Sequence, residues 1–282
     1  MIDIPTRALE LVAAYAERRP LATPLSARDG LDLTTAYLVE RELVQMRRAA
    51  GRTTVGVKVG YANKAMWRVL KLDTLVWAHM YDDTVRYANG NEATLSLAQM
   101  ISPKIEPEIV FKMKSPLGND VSAAFAPGAS APRDAAAALE AVEWLALGFE
   151  IIDCPYADWK FQPADFVAAY GLHAALIVGK PLPVTAANIP ELVEQLPKFK
   201  IRLSKNGALV EEGSGRNSLR SPALCLVELA SAMAKQEGAE ALTAGDLVSS
   251  GTLTESTPIQ SGATWTASVD GLDLQTLTLH VV

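Results

Sequence analysis

Two stretches at the start of the chain have the apolar spacing of helices. Leu9, Val12, Ala13 and Ala16 share one face behind Thr6, a candidate cap, and Pro20 and Pro24 end the run. Ala36, Leu38, Val39, Leu43, Val44 and Met46 repeat the pattern after Thr34 or Thr35, with Glu40, Arg41, Glu42, Arg47 and Arg48 on the other face. From Thr54 the period changes to two. Val55, Val57 and Val59 alternate with Gly56, Lys58 and Gly60, which predicts a strand. A short helix is predicted over 63–70 and further strands over 80–87 and 105–113. Residues 115–133 are rich in Ser, Ala, Pro and Gly and read as a loop. Asp134 caps a predicted helix to about residue 147, and Glu150-Ile151-Ile152 reads as a strand leaving it. Another strand is predicted over 174–178. Phe199, Ile201 and Leu203 alternate with Lys198, Lys200 and Arg202 before an Asn206-Gly207 hairpin turn. Pro222 opens a helix through about Lys235, and 247–282 reads as several strands with Gly-containing turns. Strands and helices mix without strict β-α-β alternation, which predicts an α+β fold. No linker divides the chain. One catalytic domain over 1–282 is expected, with a helical segment over 1–52 and a β-rich part over 53–282.

Composition narrows the function classes. Of 282 residues, 49% are hydrophobic and 21% charged, enough apolar material for a sizeable core. Lys plus Arg is 26 and Asp plus Glu is 32, a net charge of −6 with no basic patch, which argues against a nucleic-acid partner. No apolar run reaches the roughly 18 residues of a membrane span. The first residues lack the basic start and apolar core of a signal peptide, so a cytoplasmic location is expected. Two cysteines, Cys154 and Cys225, exclude a disulfide framework and a cysteine-rich zinc site.

The chemistry concentrates in Lys104-Ile105-Glu106-Pro107-Glu108-Ile109. Residues two apart on a strand project to the same side, so Glu106 and Glu108 face one way in an apolar segment. Close carboxylates repel unless a proton or a cation intervenes, and Mg2+ or Mn2+ suits oxygen ligands. A solvent-facing strand edge is the competing explanation. Glu150, in Leu147-Gly148-Phe149-Glu150-Ile151, needs a partner in so apolar a setting and is a candidate third ligand. Lys58 lies among small and apolar residues. It is either a lysine on a half-exposed strand face or a proton carrier beside such a centre. Asp82 and Asp83 are adjacent, so on a strand at most one points easily into a site.

These segments in this order resemble the 2-keto-4-pentenoate hydratase and 4-oxalocrotonate decarboxylase branch of the fumarylacetoacetate hydrolase superfamily. The resemblance covers residues 31–281. It rests on Ala36-Tyr37 and the residues to Arg52, on Gly56-Val57-Lys58-Val59-Gly60 with Lys64-Ala65-Met66, and on Tyr81-Asp82-Asp83. It continues with Ile105-Glu106-Pro107-Glu108-Ile109, Phe149-Glu150-Ile151-Ile152-Asp153, Asp158-Trp159 and Ser250-Gly251-Thr252-Leu253-Thr254. It implies a mixed β-roll or sandwich of the fumarylacetoacetate hydrolase catalytic type, with N-terminal helices. It implies Mg2+ or Mn2+ held by Glu106, Glu108 and Glu150, and catalytic roles for Lys58, Asp82 and Asp83. Ser250, Gly251 and Thr252 are implied near the substrate carboxylate.

The same resemblance implies a lyase on a 2-hydroxy-2,4-dienoate or 2-oxo acid, first a hydratase of aromatic-compound breakdown. Alternatives are a 4-oxalocrotonate-type decarboxylase, a hydrolase of an acylpyruvate or related β-diketo acid, and a non-catalytic partner subunit. A homo-oligomer is expected, with a possible complex of pathway enzymes. The sequence departs from typical hydratases at Val167-Ala168-Ala169-Tyr170-Gly171-Leu172-His173, where a polar Asp-Asn pair becomes Ala169 and Tyr170. Tyr170, Leu172 and His173 are therefore candidates for substrate contact, with Tyr156 and Trp159 as further apolar lining. Core packing is the alternative for each. Of the three histidines, His79 and His173 are candidate bases and His280 reads as structural.

Overall fold

The computed structural model describes residues 2–117 and 131–282. Most of the predicted 115–133 loop lies outside the described residues. At the N-terminus, α1 (Ile4–Ala16) starts at Asp3, whose carboxylate accepts the Thr6 N–H at 3.2 Å. In the same way α3 (Leu33–Ala49) starts at Asp32, which accepts the Thr35 N–H at 2.8 Å. The caps are thus aspartates three residues ahead of the predicted threonines, which sit inside the first turn. Between the two helices lies α2 (Leu25–Asp29). The buried faces are Ala8, Leu11 and Ala14 on α1, and Ala36, Tyr37, Val39, Glu40, Leu43 and Val44 on α3.

The large sheet uses β1 (Thr54–Gly60), β2 (Val76–Tyr81), β3 (Val85–Tyr87), β5 (Pro103–Met113), β6 (Val142–Asp153), β7 (His173–Val178) and β11 (Leu247–Ser249). Their order is β2-β1-β11-β5-β6-β7-β3, with the short β8 (Leu182–Pro183) on β6 and β12 (Thr257–Pro258) on β5. The strand predicted over 80–87 is two strands broken by a turn at 82–84. That turn shapes the whole sheet. β2 and β3 are the two ends of the order, yet four Cα steps join Tyr81 to Val85, a reach of at most about 14 Å. The sheet therefore rolls until its ends nearly meet. The helix predicted from Asp134 to residue 147 is also corrected. The helix α5 (Ala131–Glu140) ends at Glu140, and Val142 begins a twelve-residue strand. Apolar periodicity reads a buried strand and a helix alike. Pairing decided the outcome, because β6 lies between β5 and β7 and is buried on both faces.

The two faces of the roll have different tasks. Met80, Val110, Ala146, Leu176, Val178 and Leu247 form an apolar plug inside it. Outside, Val57, Val59, Trp77, Phe111, Leu147, Phe149 and Ile177 join the helices in the main core. Tyr37 of α3 packs on Trp77 of β2 at 5.2 Å between ring centres. A second sheet, in the order β10-β9-β13-β14-β4, holds β4 (Glu92–Leu95), β9 (Lys200–Lys205), β10 (Ala208–Ser214), β13 (Thr264–Asp270) and β14 (Leu277–Val281). Asn206 and Gly207, with φ of 51° and 81°, make the predicted hairpin turn between β9 and β10. The helix α8 (Pro222–Lys235) keeps its predicted limits; α4 (Lys64–Leu70), α6 (Pro163–Ala168) and α7 (Ile189–Gln195) complete the helices used here. Among the described residues no helix is long and apolar enough to cross a membrane.

Against the outside of the roll, Glu40 of α3 lies 97% buried and takes the His79 Nδ1 at 2.8 Å and its backbone N–H at 3.1 Å. A cavity of about 130 Å3 beside them is bounded by Tyr37, Arg41, Arg48, Trp77 and Glu240. Burial opposes a charge on His79, but Glu40 and then Glu240 outweigh it, and with Arg48 opposing, the imidazole is held above its ordinary 6.5. A raised histidine adds stability that is complete below about 6.5 and is lost as pH climbs through the folded value. His79→Gln is therefore expected to remove a decline in urea midpoint that begins above about pH 6.5 in the wild type. Identical pH profiles for the two proteins would exclude the effect.

Candidate metal centre

Glu106 and Glu108 lie two apart on β5 and project into the roll. Glu150 of β6 stands directly opposite Glu106. Lys58 of β1 joins the same face through its pairing with Ser249 of β11, which in turn pairs with Val110. One carboxylate oxygen from each glutamate lies within 4.8 Å of the others. Glu108 and Glu150 are fully buried and Lys58 is 1% exposed, while Glu106 is half-buried.

The hydrogen bonds leave a clear remainder. Glu108 Oε2 accepts from Ser249 Oγ at 2.5 Å and from the Gly251 N–H at 2.8 Å. Glu150 Oε1 pairs with His173 Nδ1 at 2.9 Å. Lys58 Nζ donates to the Gly171 carbonyl at 3.0 Å and lies 2.9 Å from Glu150 Oε2. That last contact is a buried ion pair. Glu108 Oε1 thus remains buried with no partner, and Glu150 Oε2 has only the Lys58 ammonium beside it. Bare buried carboxylate oxygens are costly. One oxygen from each of three neighbouring glutamates, gathered within 4.8 Å, forms the donor set of a hard divalent cation. The residues present fit the ion.

The electrostatics diverge within this one cluster. Burial pushes Glu106 up to about 7, with Lys58 pulling down and Glu150 pushing further up. Burial, then the charges of Glu150 and Glu106, raise Glu108 well above the carboxylate range. Burial also opposes the Glu150 charge, but Lys58 and His173 outweigh it and hold that carboxyl below its ordinary value. For Lys58, burial opposes the cation, and Glu150, Glu106 and Glu108 together prevail, so it is held above its ordinary value. Carboxyls pushed apart beside a buried lysine are the pattern of a working site.

Backbone geometry sets the lysine. Tyr170, Gly171 and Leu172 run left-handed, with φ of 56°, 59° and 58°. Each non-glycine residue there costs about 1–3 kcal/mol, strain that the surroundings must hold. A Cβ on Gly171 would stand 2.8 Å from Lys58 Cδ and 2.9 Å from the Ala78 Cβ, so only glycine lets this carbonyl approach. The side chains expected to line a pocket lie elsewhere. Tyr170 packs on Tyr15 and Tyr81, with ring centres at 6.0 and 6.1 Å. Leu172 is buried in the main core. It is the main chain of this turn that reaches the site.

Other sequence candidates are likewise redistributed. Asp82 and Asp83 are exposed in the β2–β3 turn. Asp82 accepts the Thr53 N–H at 3.2 Å, and Asp83 pairs with Arg47 at 2.5 Å and Arg52 at 3.2 Å. The β2 residue paired with Lys58 is Ala78, so β2 brings no acid to it. Ser250 Oγ donates to the Ile109 carbonyl at 2.8 Å and Thr252 Oγ1 to that of Thr254 at 2.9 Å, so both hydroxyls hold the turn. Tyr156 is core, its hydroxyl on the Asp165 carbonyl at 3.1 Å. Trp159 lies under Lys104, whose Nζ is 3.9 Å from the ring centre. His79 belongs to the outer face, and His280 bonds Thr264 in the second sheet at 3.1 Å. Sequence reading missed Ser249, Thr84 and the Gly171 carbonyl. Only Ser249 carried a signal, as the strand residue just before the Ser250-Gly251 turn.

A rolled sheet enclosing three carboxylates and a lysine defines a divalent-cation site built on a mixed α+β fold. The fumarylacetoacetate (FAA) hydrolase C-terminal family matches residues 124–282. The chain is 31% identical to a 4-oxalocrotonate decarboxylase of Pseudomonas sp over 252 residues, 89% of each protein. It is 30% identical to a 2-hydroxypent-2,4-dienoate hydratase of Pseudomonas putida over 226 residues, 79% of this chain and 92% of that enzyme. The 4-oxalocrotonate decarboxylase from Pseudomonas putida G7, complexed with magnesium and adipate, shares the fold with a TM-score of 0.83 at 23% identity. That match covers 99% of this chain and 97% of the other. The protein belongs to the fumarylacetoacetate hydrolase family.

Proposed function

We propose that this protein is a divalent-metal-dependent lyase adding water to a 2-hydroxy-2,4-dienoate to give a 4-hydroxy-2-oxo acid. The observation that carries the reading is the trio Glu106, Glu108 and Glu150, with oxygens within 4.8 Å and Lys58 beside them. These glutamates would hold Mg2+ or Mn2+, which share a preference for oxygen ligands. Such an ion supplies Lewis-acid stabilisation of negative charge on the 2-oxo oxygen of a chelating substrate. Glu108 and Glu150 are each tied to the protein by hydrogen bonds at one oxygen, which leaves Glu108 Oε1 without a donor and Glu150 Oε2 against Lys58 and fixes their orientation. Lys58, aimed by the Gly171 carbonyl, is the proton carrier at its Nζ. The plug of Met80, Val110, Ala146 and Leu176 keeps water from entering beneath the site. Met66 and Val69, exposed one turn apart on α4, support a homo-oligomer, which sedimentation as a monomer at all concentrations would exclude.

The decarboxylase reading stays second, supported by the relative at 31% identity. The same glutamates and Lys58 would serve it, because loss of carbon dioxide from a vinylogous β-keto acid, the carboxylate remote from the 2-oxo group, leaves the same charge on the 2-oxo oxygen. The hydrolase reading loses its candidate base, since both ring nitrogens of His173 have partners and His79 faces away. The test is an ultraviolet assay of freshly generated 2-hydroxypenta-2,4-dienoate with Mg2+ or Mn2+ and mass analysis of the product. Loss of the dienol with gain of one water supports the hydratase. No turnover there, with carbon dioxide released from 4-oxalocrotonate, would replace it by the decarboxylase.

A further inference from the structure

We propose that His173 is a positioning residue for Glu150, turned onto it by a bulge in β7 and anchored through Thr84 to the seam of the roll. The inference rests on reading the three glutamates as a metal centre. β6 and β7 pair as Glu150↔Leu176 and Ile151↔Ala175, and then as Ile152↔His173. Ala174 is the extra residue. Without it, strict alternation would put His173 on the face of Ala175 and Ile177, in the core outside the roll. The bulge moves the imidazole to the face of Glu150, a common use of such irregularities beside active sites.

Both ring nitrogens are then engaged. Nδ1 is 2.9 Å from Glu150 Oε1 and Nε2 is 2.9 Å from Thr84 Oγ1. The Thr84 hydroxyl donates to the Tyr81 carbonyl at 3.0 Å, so toward His173 it acts as acceptor. Its own carbonyl takes the Leu176 N–H at 2.9 Å. Thr84 belongs to the turn that draws β2 and β3 together. Roll closure, imidazole and Glu150 therefore form one chain of contacts, and Oε2 is the oxygen left facing Lys58 and the other glutamates. A histidine with both nitrogens committed is not a general base for water. It fixes which oxygen of Glu150 is available.

The test is the affinity of the metal-depleted protein for Mn2+, read by the electron paramagnetic resonance of free Mn2+, with kcat and KM measured separately. His173→Ala is expected to weaken Mn2+ binding about tenfold or more. His173→Asn places an amide N–H near the Nδ1 position and should recover most of the loss. Thr84→Val should weaken binding by a smaller factor, about threefold. An unchanged Mn2+ affinity in His173→Ala, with binding lost in Glu106→Gln, would overturn the positioning role and leave the metal centre standing. If the wild type itself binds no Mn2+, the metal reading falls and the inference with it. Should His173→Ala fail to fold, Thr84→Val decides, because an affinity equal to wild type there overturns the proposal.

Discussion

Glu106→Gln is expected to remove Mn2+ binding and to lower turnover about a thousandfold, the equivalent of roughly 4 kcal/mol of lost charge stabilisation. The fold should survive. Glu106 is half-buried, forms no hydrogen bond among the described residues, and faces Glu150 across the β5–β6 pair. Glutamine keeps its volume and removes one of three crowded negative charges. The metal-free variant should therefore melt no lower than the wild type. Glu150 is a poorer choice for this test. Its loss would leave Lys58, 1% exposed, without its nearest counter-charge, and breaking a buried pair costs about 3–5 kcal/mol. Titration calorimetry with Mn2+, beside melts in chelator, separates the two cases. Wild-type affinity in Glu106→Gln would remove Glu106 from the ligand set.

Lys58→Met should retain the metal and lose about a hundred- to ten-thousandfold in turnover, the usual range for a missing proton carrier. Methionine fills the space, so packing changes little. The metal-free protein should suffer, because Glu150, Glu106 and Glu108 then lose the cation that offsets their repulsion. About 3–5 kcal/mol of destabilisation is expected, largely restored by saturating Mn2+. A variant that turns over within tenfold of wild type would make Lys58 an electrostatic support only. Loss of Mn2+ binding in the same variant would point to that conclusion as well.

Much of this was legible along the chain. The alternation of Glu106 and Glu108 predicted a shared face, and the apolar context of Glu150 predicted a partner for it. The helix over 222–235 and the Asn206-Gly207 hairpin followed from proline and glycine chemistry that is local. Errors fell where a local signal had two meanings. An apolar run from residue 142 suits a helix or a central strand equally, and only flanking strands choose. Asp82 and Asp83 look like acids of a site until Arg47 and Arg52, remote in sequence, take Asp83.

The sequence by itself pointed to the α+β class and to a shared face for Glu106 and Glu108, and its resemblance to the family implied Glu150 and Lys58 beside them. The class and the shared face follow from periods of two or about 3.6, which need no knowledge of neighbours. The roll that the resemblance implied is closed by a feature only the tertiary structure shows, a short turn joining strands at opposite ends of the sheet order. Tertiary structure also decided that the Gly171 carbonyl holds Lys58 and that Ser249 and Gly251 hold Glu108. His173 shows the limit most plainly. Which face a strand residue occupies is set by register, and one bulged residue at Ala174 reverses it without leaving a mark in the hydrophobic pattern.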